Sequence, residues 1–175
     1  MPQLIKHRAL ADDRCTLVRD VAAPAELPDG VAVIVPLSLW LAHRGPLIAR
    51  GDVGVWLAPA DQPSALADDI QRLSVIAIDF PQFTDGRGYS NARLLRERYQ
   101  YAGELRAVGD IGRDQLYYLA QCGFDAFVIP DGRDAPDALD SFADFSDGYQ
   151  ATVALTPWFR RRHLAATRDV AYPTA

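Results

Sequence analysis

The sequence predicts an α/β fold: about five β-α units forming a mainly parallel sheet, open or closed part-way to a barrel, with an N-terminal extension and a basic C-terminal tail. Three observations carry this. Short, almost unbroken apolar runs recur along the chain, as strands buried on both faces require. Segments of helical length separate them, giving a strand–helix alternation of roughly 20–25 residues per unit that suits right-handed crossovers. The runs are too few for the eight strands of a closed barrel of about 250 residues.

In order along the chain, residues 1–30 mix polar and apolar positions and end on AAPAELPDG, whose prolines and glycine are turn chemistry. They read as an N-terminal extension with at most a short strand or hairpin. An α/β domain over 31–150 follows. Its strands are expected at VAVIVPL (31–37), GVWLAP (54–59), VIAIDF (75–80), ELRAVG (104–109) and DAFVIP (125–130). Helices are expected over 38–50, 63–73, 91–101, 111–122 and 134–145. Gly45-Pro46 should break or restart the first of them. After Gly148 the pattern stops, and 151–175 read as a tail in which Arg160, Arg161 and Arg162 follow Trp158 and Phe159. That tail is either a solvated basic segment or a docking segment for an acidic surface.

Composition narrows the function classes. The chain has 175 residues, 49% hydrophobic and 23% charged, which bounds a single folded domain. Its apolar runs are too short to cross a bilayer, so no membrane partner is expected. The first residues lack a signal peptide's apolar core, and the expected location is cytoplasmic. A net charge of −5 argues against nucleic acid as a partner. Cys15 and Cys122 form no C-x-x-C pair and are too few for an iron–sulfur cluster. His7, His43 and His163 share no ligand spacing, so no metal is expected. The G-R-G-Y-S of 86–90 is not a dinucleotide fingerprint, a P-loop or a hydrolase elbow. No cofactor is expected. The exposed edges of an open or partial-barrel sheet favour a homodimer.

Ligands of parallel α/β sheets bind where loops leave the carboxyl ends of the strands. Two such loops look alike. VIAIDF runs into PQFTDGRGYS, with Ser90 as the expected N-cap of the next helix and Tyr89 packing on Leu94; ELRAVG runs into Asp110, a second expected N-cap. Arg93 and Arg113 then each lie three positions after a cap. A cation in the first helical turn is unfavourable by about 0.3–1 kcal/mol, so arginine there calls for a negative neighbour. One reading is an anion site: Arg87 and Arg93 hold the anion with Ser90 and Arg113, while Asp85 and Asp110 orient the arginines. The other is a structural network, with Asp85 closing a turn, Gly86 and Gly88 at positive φ, and Arg93 paired to Glu97. Asp79, ending a buried strand, is a candidate base or ligand, as is Asp110.

At this point the chain resembles a known family. FPQFTDGRGYSNARLLRERYQYAGELRAVGDIGRDQLYYLAQCGFDAF, with GVWLAP upstream and FRRR downstream, is similar to a proteobacterial family of uncharacterised proteins labelled as oxidoreductases of sulfite reduction and encoded beside assimilatory sulfite reductase. Members typically carry F-P-K-F-T-D-G-R-G-Y-S, where this chain has Gln82 in place of lysine, and a bulky residue where it has Gly112. The resemblance implies a role in sulfur assimilation and sulfite reductase as a partner. With no redox-cofactor motif in the chain, it implies an accessory protein that engages the reductase or a small anion. The alternative is a cofactor-free acid–base enzyme acting on an anionic metabolite at the same loops.

Overall fold

A computed structural model describes residues 2–143. All six residues of VIAIDF are buried, as a strand covered on both faces must be. This strand, β6 (Val75–Phe80), lies inside one sheet. Its companions are β1 (Gln3–Lys6), β2 (Ala9–Ala11), β3 (Cys15–Leu17), β4 (Ala32–Pro36), β5 (Val53–Leu57), β7 (Glu104–Gly109) and β8 (Ala126–Ile129). The order is β2-β1-β8-β7-β6-β5-β4-β3, parallel from β3 through β8 and antiparallel at β1 and β2. All five apolar runs are strands, each beside its sequence neighbour. Right-handed crossovers between such neighbours put every connection on one face, and the sheet curls into a half-barrel.

Side-chain alternation divides the two faces. Val33, Val55, Ile76, Ile78, Phe80 and Leu105 join the large core under the helices, together with Trp40, Leu95, Leu116 and Leu119. Each fully buried side chain of this kind contributes about 1.5–3 kcal/mol. Ile34, Val75, Ala77 and Val108 form a smaller cluster on the opposite, concave face. Asp79, Glu104 and Arg106 occupy alternate positions on that same face, with Asp79 and Arg106 buried.

Residues 1–30, read as an extension, supply three strands and so both sheet edges. β1 pairs with β8, β2 folds back on β1, and β3 pairs with β4. The hairpin turns on His7 and Arg8, both at positive φ (50° and 62°), the conformation that Asn-Gly usually supplies.

The connections depart further from expectation. The 38–50 segment is two helices, α1 (Leu37–Ala42) and α2 (Arg44–Arg50), meeting at His43. Pro46 falls in the first turn of α2, where its missing N–H removes no helical bond. The 63–73 segment is no α-helix but two 3-10 turns, Pro63–Leu66 and Ile70–Arg72. Buried Asp69 explains this: it accepts hydrogen bonds from Trp40 Nε1 at 3.2 Å and Arg44 Nη2 at 2.7 Å, which tie the segment to the first two helices. The count of five β-α units therefore gives way to four strands followed by α-helix and one followed by 3-10 turns.

The third helix, α3 (Arg87–Arg93), starts four residues before the expected position and runs into a π turn, Leu94–Arg98. Next come α4 (Arg113–Gln121) and α5 (Ala135–Asp140), the latter capped by Asp134, which accepts from Asp137 N–H at 3.2 Å. No described helix is long and apolar enough to cross a membrane. Arg160, Arg161 and Arg162 lie outside the described residues.

Candidate functional site

The site is built from the carboxyl ends of β6 and β7. Asp79, the fifth residue of β6, points to the concave side and is 7% exposed. Both its oxygens accept from Arg19, Oδ1 from Nη2 at 2.7 Å and Oδ2 from Nη1 at 3.1 Å. Arg19 lies 5.3 Å from the centre of the Trp56 ring, and Trp56 Nε1 donates to the Val18 carbonyl at 2.9 Å. The residues following β3 are thus fastened across the ends of β5 and β6. The hydrogen bonds to Asp79 raise the Arg19 pKa further above its already high value, so the guanidinium stays charged.

Beside Asp79, β7 ends at Gly109 with φ +99°. A Cβ there would lie 2.9 Å from Asp79 Oδ1 and collide with the Phe80 carbonyl. Only glycine lets the strand end approach this closely. Asp110 N–H then donates to the Phe80 carbonyl at 2.7 Å. The Asp110 carboxylate accepts from Arg133 Nη2 at 2.5 Å, and Arg133 Nη1 donates to the Ile111 carbonyl. Asp110 is therefore an anchor for Arg133 and not a helix cap; the N-cap of α4 is Gly112. Gln115 Oε1 accepts from Gly112 N–H at 2.9 Å, which is half of a capping box, since glycine has no side chain to complete it.

A third pair stands in the loop after β6. Arg87 donates from Nε to Asp85 Oδ1 at 2.9 Å and from Nη2 to Oδ2 at 2.6 Å. The Arg87 hydrogen bonds hold the Asp85 carboxyl below the usual carboxylate range. Arg87 is 62% exposed and Asp85 15%. Neither neighbouring glycine has positive φ. A Cβ on Gly88 would meet the Phe80 ring at 2.6 Å, so this glycine lets α3 sit on β6. Ser90 lies inside α3 and is no cap.

The two loops do meet. Gln115 Nε2, in the first turn of α4, donates to the Phe83 carbonyl at 3.2 Å and the Tyr89 hydroxyl at 3.1 Å. Arg93 and Arg113 each meet a carboxylate on a helical segment, Glu97 and Asp137. Arg93 closes α3 and pairs with Glu97 at 3.1 Å, so its expected place in a first turn is corrected. Arg113 is the first residue of α4 and reaches α5, donating from Nε to the Asp137 carbonyl at 3.0 Å.

Arg19, Arg133 and Gln115 were missed in the sequence. Arg133 had a signal: Asp131-Gly132-Arg133 after β8 repeats Asp85-Gly86-Arg87 after β6. Arg19 had none, because its pairing with Asp79 spans 60 residues.

One family model matches, described as "Bacterial protein of unknown function (DUF934)", over residues 54–159. That is more than half of the chain. The chain belongs to this family. The DUF934 match contains Asp79, Asp85, Arg87, Asp110 and Arg133, and begins downstream of Arg19 and β1 through β4. No curated protein and no solved structure matches the chain.

Proposed function

We propose that this DUF934 protein is an accessory protein of assimilatory sulfite reduction, engaging sulfite reductase or a small anion at the carboxyl edge of its parallel strands. The sulfur-assimilation context comes from the resemblance of its motifs to the family encoded beside that reductase. One observation supports the choice of edge: three guanidinium groups, from Arg19, Arg87 and Arg133, stand there on Asp79, Asp85 and Asp110. Arg87 and Arg133 are 62% and 41% exposed. A water-exposed pair exchanges partners at low cost, so an oxyanion, or a carboxylate on the reductase, takes these forks while the aspartates keep them oriented.

The second reading, acid–base catalysis by Asp79 or Asp110 on an anionic metabolite, is less well supported. Arg19 occupies both oxygens of Asp79, which leaves neither free to reach a substrate.

Co-purification at physiological salt tests the proposal. The tagged full chain should retain the reductase, and the Arg87→Gln/Arg133→Gln double variant should release it. Absence of retention by the native chain, with sulfite reduction unchanged on deleting the gene, would overturn the role.

A further inference from the structure

The opposite end of the same strands holds a separate cavity of about 410 Å³ on the concave side, where β1, β3, β6 and β7 begin or end. Lys6, Asp12, Arg14, Cys15, Glu104 and Arg106 line it, with apolar wall from Leu4 and Val75. Its volume is that of a small-metabolite pocket. Arg106 is the buried member, 3% exposed. Its Nε donates to Glu104 Oε1 at 2.7 Å and its Nη1 to both oxygens of Asp13 at 2.9 Å. Lys6 Nζ reaches Glu104 Oε2 at 2.6 Å.

Two features remain open. Arg106 Nη2 has no hydrogen-bond partner among the described residues and is not shut off from solvent, so this donor opens on the cavity. Asp12 and Arg14, at the rim, pair with no described residue. The charges already balance, Lys6, Arg14 and Arg106 against Asp12, Asp13 and Glu104. A simple anion or cation would unbalance a partly desolvated site; a molecule with one charge of each sign would not.

We propose that this cavity binds a small zwitterion of the amino-acid class. Its carboxylate lies on Arg106 Nη2 and Arg14, and its ammonium group on Asp12. The apolar wall of Leu4 and Val75 meets a short side chain. This site is independent of the strand edge assigned above, since its lining shares no residue with it.

Cys15 provides the readout. Its thiol lines the cavity, and burial pushes its pKa up against the opposing pull of Arg106, which makes its alkylation slow and measurable. Cys122 is buried under the helices and reports global opening. The full chain is treated with neutral iodoacetamide in the presence of each standard L-amino acid in turn, of acetate, or of methylammonium. Modification of each cysteine is followed by mass spectrometry. At least one amino acid should slow Cys15 modification saturably, by about tenfold at roughly ten times its Kd, without changing Cys122. Acetate and methylammonium should not do so. Arg14→Gln, at an exposed position without a pairing to lose, should keep its melting temperature and lose the protection. Protection by acetate alone would replace the zwitterion with an anion and overturn the proposal. So would an absence of protection by every amino acid, or protection undiminished in Arg14→Gln.

Discussion

The two ends of β6 and β7 carry the same chemistry, arginine on carboxylate, in opposite settings. At the starting end, Arg106 is 3% exposed and holds Glu104 and Asp13 within the concave face. At the finishing end, Arg19, Arg87 and Arg133 keep 44%, 62% and 41% of their side-chain surface in water. Burial decides what such a pair does. Removing one partner of a buried pair strands a charge away from water, whereas an exposed pair is screened and readily exchanged. The starting end is therefore built for rigidity, and the Arg87 and Arg133 pairs of the finishing end for exchange.

The sharpest break of this contrast is Arg106→Ala, which leaves Glu104 and Asp13 without their common partner. Since Asp13 is part-exposed, the low end of the range for a broken buried pair applies, about 3 kcal/mol, read as a lower denaturation midpoint. A loss below about 1 kcal/mol, the level of a surface pair, would erase the distinction between the two ends. Gly109→Ala comes next, adding a Cβ at φ +99° against the Phe80 carbonyl and Asp79. It should cost about 2 kcal/mol and loosen Arg19, visible as a change in Trp56 fluorescence.

Acid sharpens the comparison with a smaller effect. Burial alone would raise the Glu104 pKa, but Lys6 and Arg106 hold it below the ordinary carboxylate value. A depressed folded-state pKa gives stability that is present above the unfolded value, about 4.3, and lost as pH falls through the folded one. Chemical denaturation at stepwise lower pH should show this loss, and Glu104→Gln should flatten it. The smallest effect on stability belongs to Arg87→Gln, whose denaturation midpoint should match that of the native chain. That variant should instead weaken the binding of sulfite or sulfate in calorimetric titration. If it lowers the denaturation midpoint while leaving anion binding unchanged, exposure was the wrong guide to exchangeability at this end.

The legible parts of the molecule share one property. The five apolar runs could be read as strands because burial on both faces leaves an unbroken pattern that needs no partner to be recognised. The hairpin of β1 and β2 was hidden because His7 and Arg8, not Asn-Gly, make its turn. Asp69 was hidden as a helix breaker because its partners, Trp40 and Arg44, lie in an earlier crossover. At the site, Asp79, Asp85, Arg87 and Asp110 were legible as a group at strand ends. Their partners were only partly so: Arg87 pairs within its own loop, while Arg19 and Arg133 arrive from β3 and β8.

By itself, then, the amino-acid order determined that the five apolar runs are strands, that the sheet is mostly parallel, and that aspartate and arginine gather where two of these strands finish. These follow from local burial patterns and turn chemistry, which a chain displays residue by residue. Tertiary structure alone decided which carboxylate each guanidinium meets, that the first strands complete both edges, and that Arg106 sits at the base of a cavity. Those facts depend on side chains far apart in the chain coming within about 3 Å, the distance at which a hydrogen bond forms.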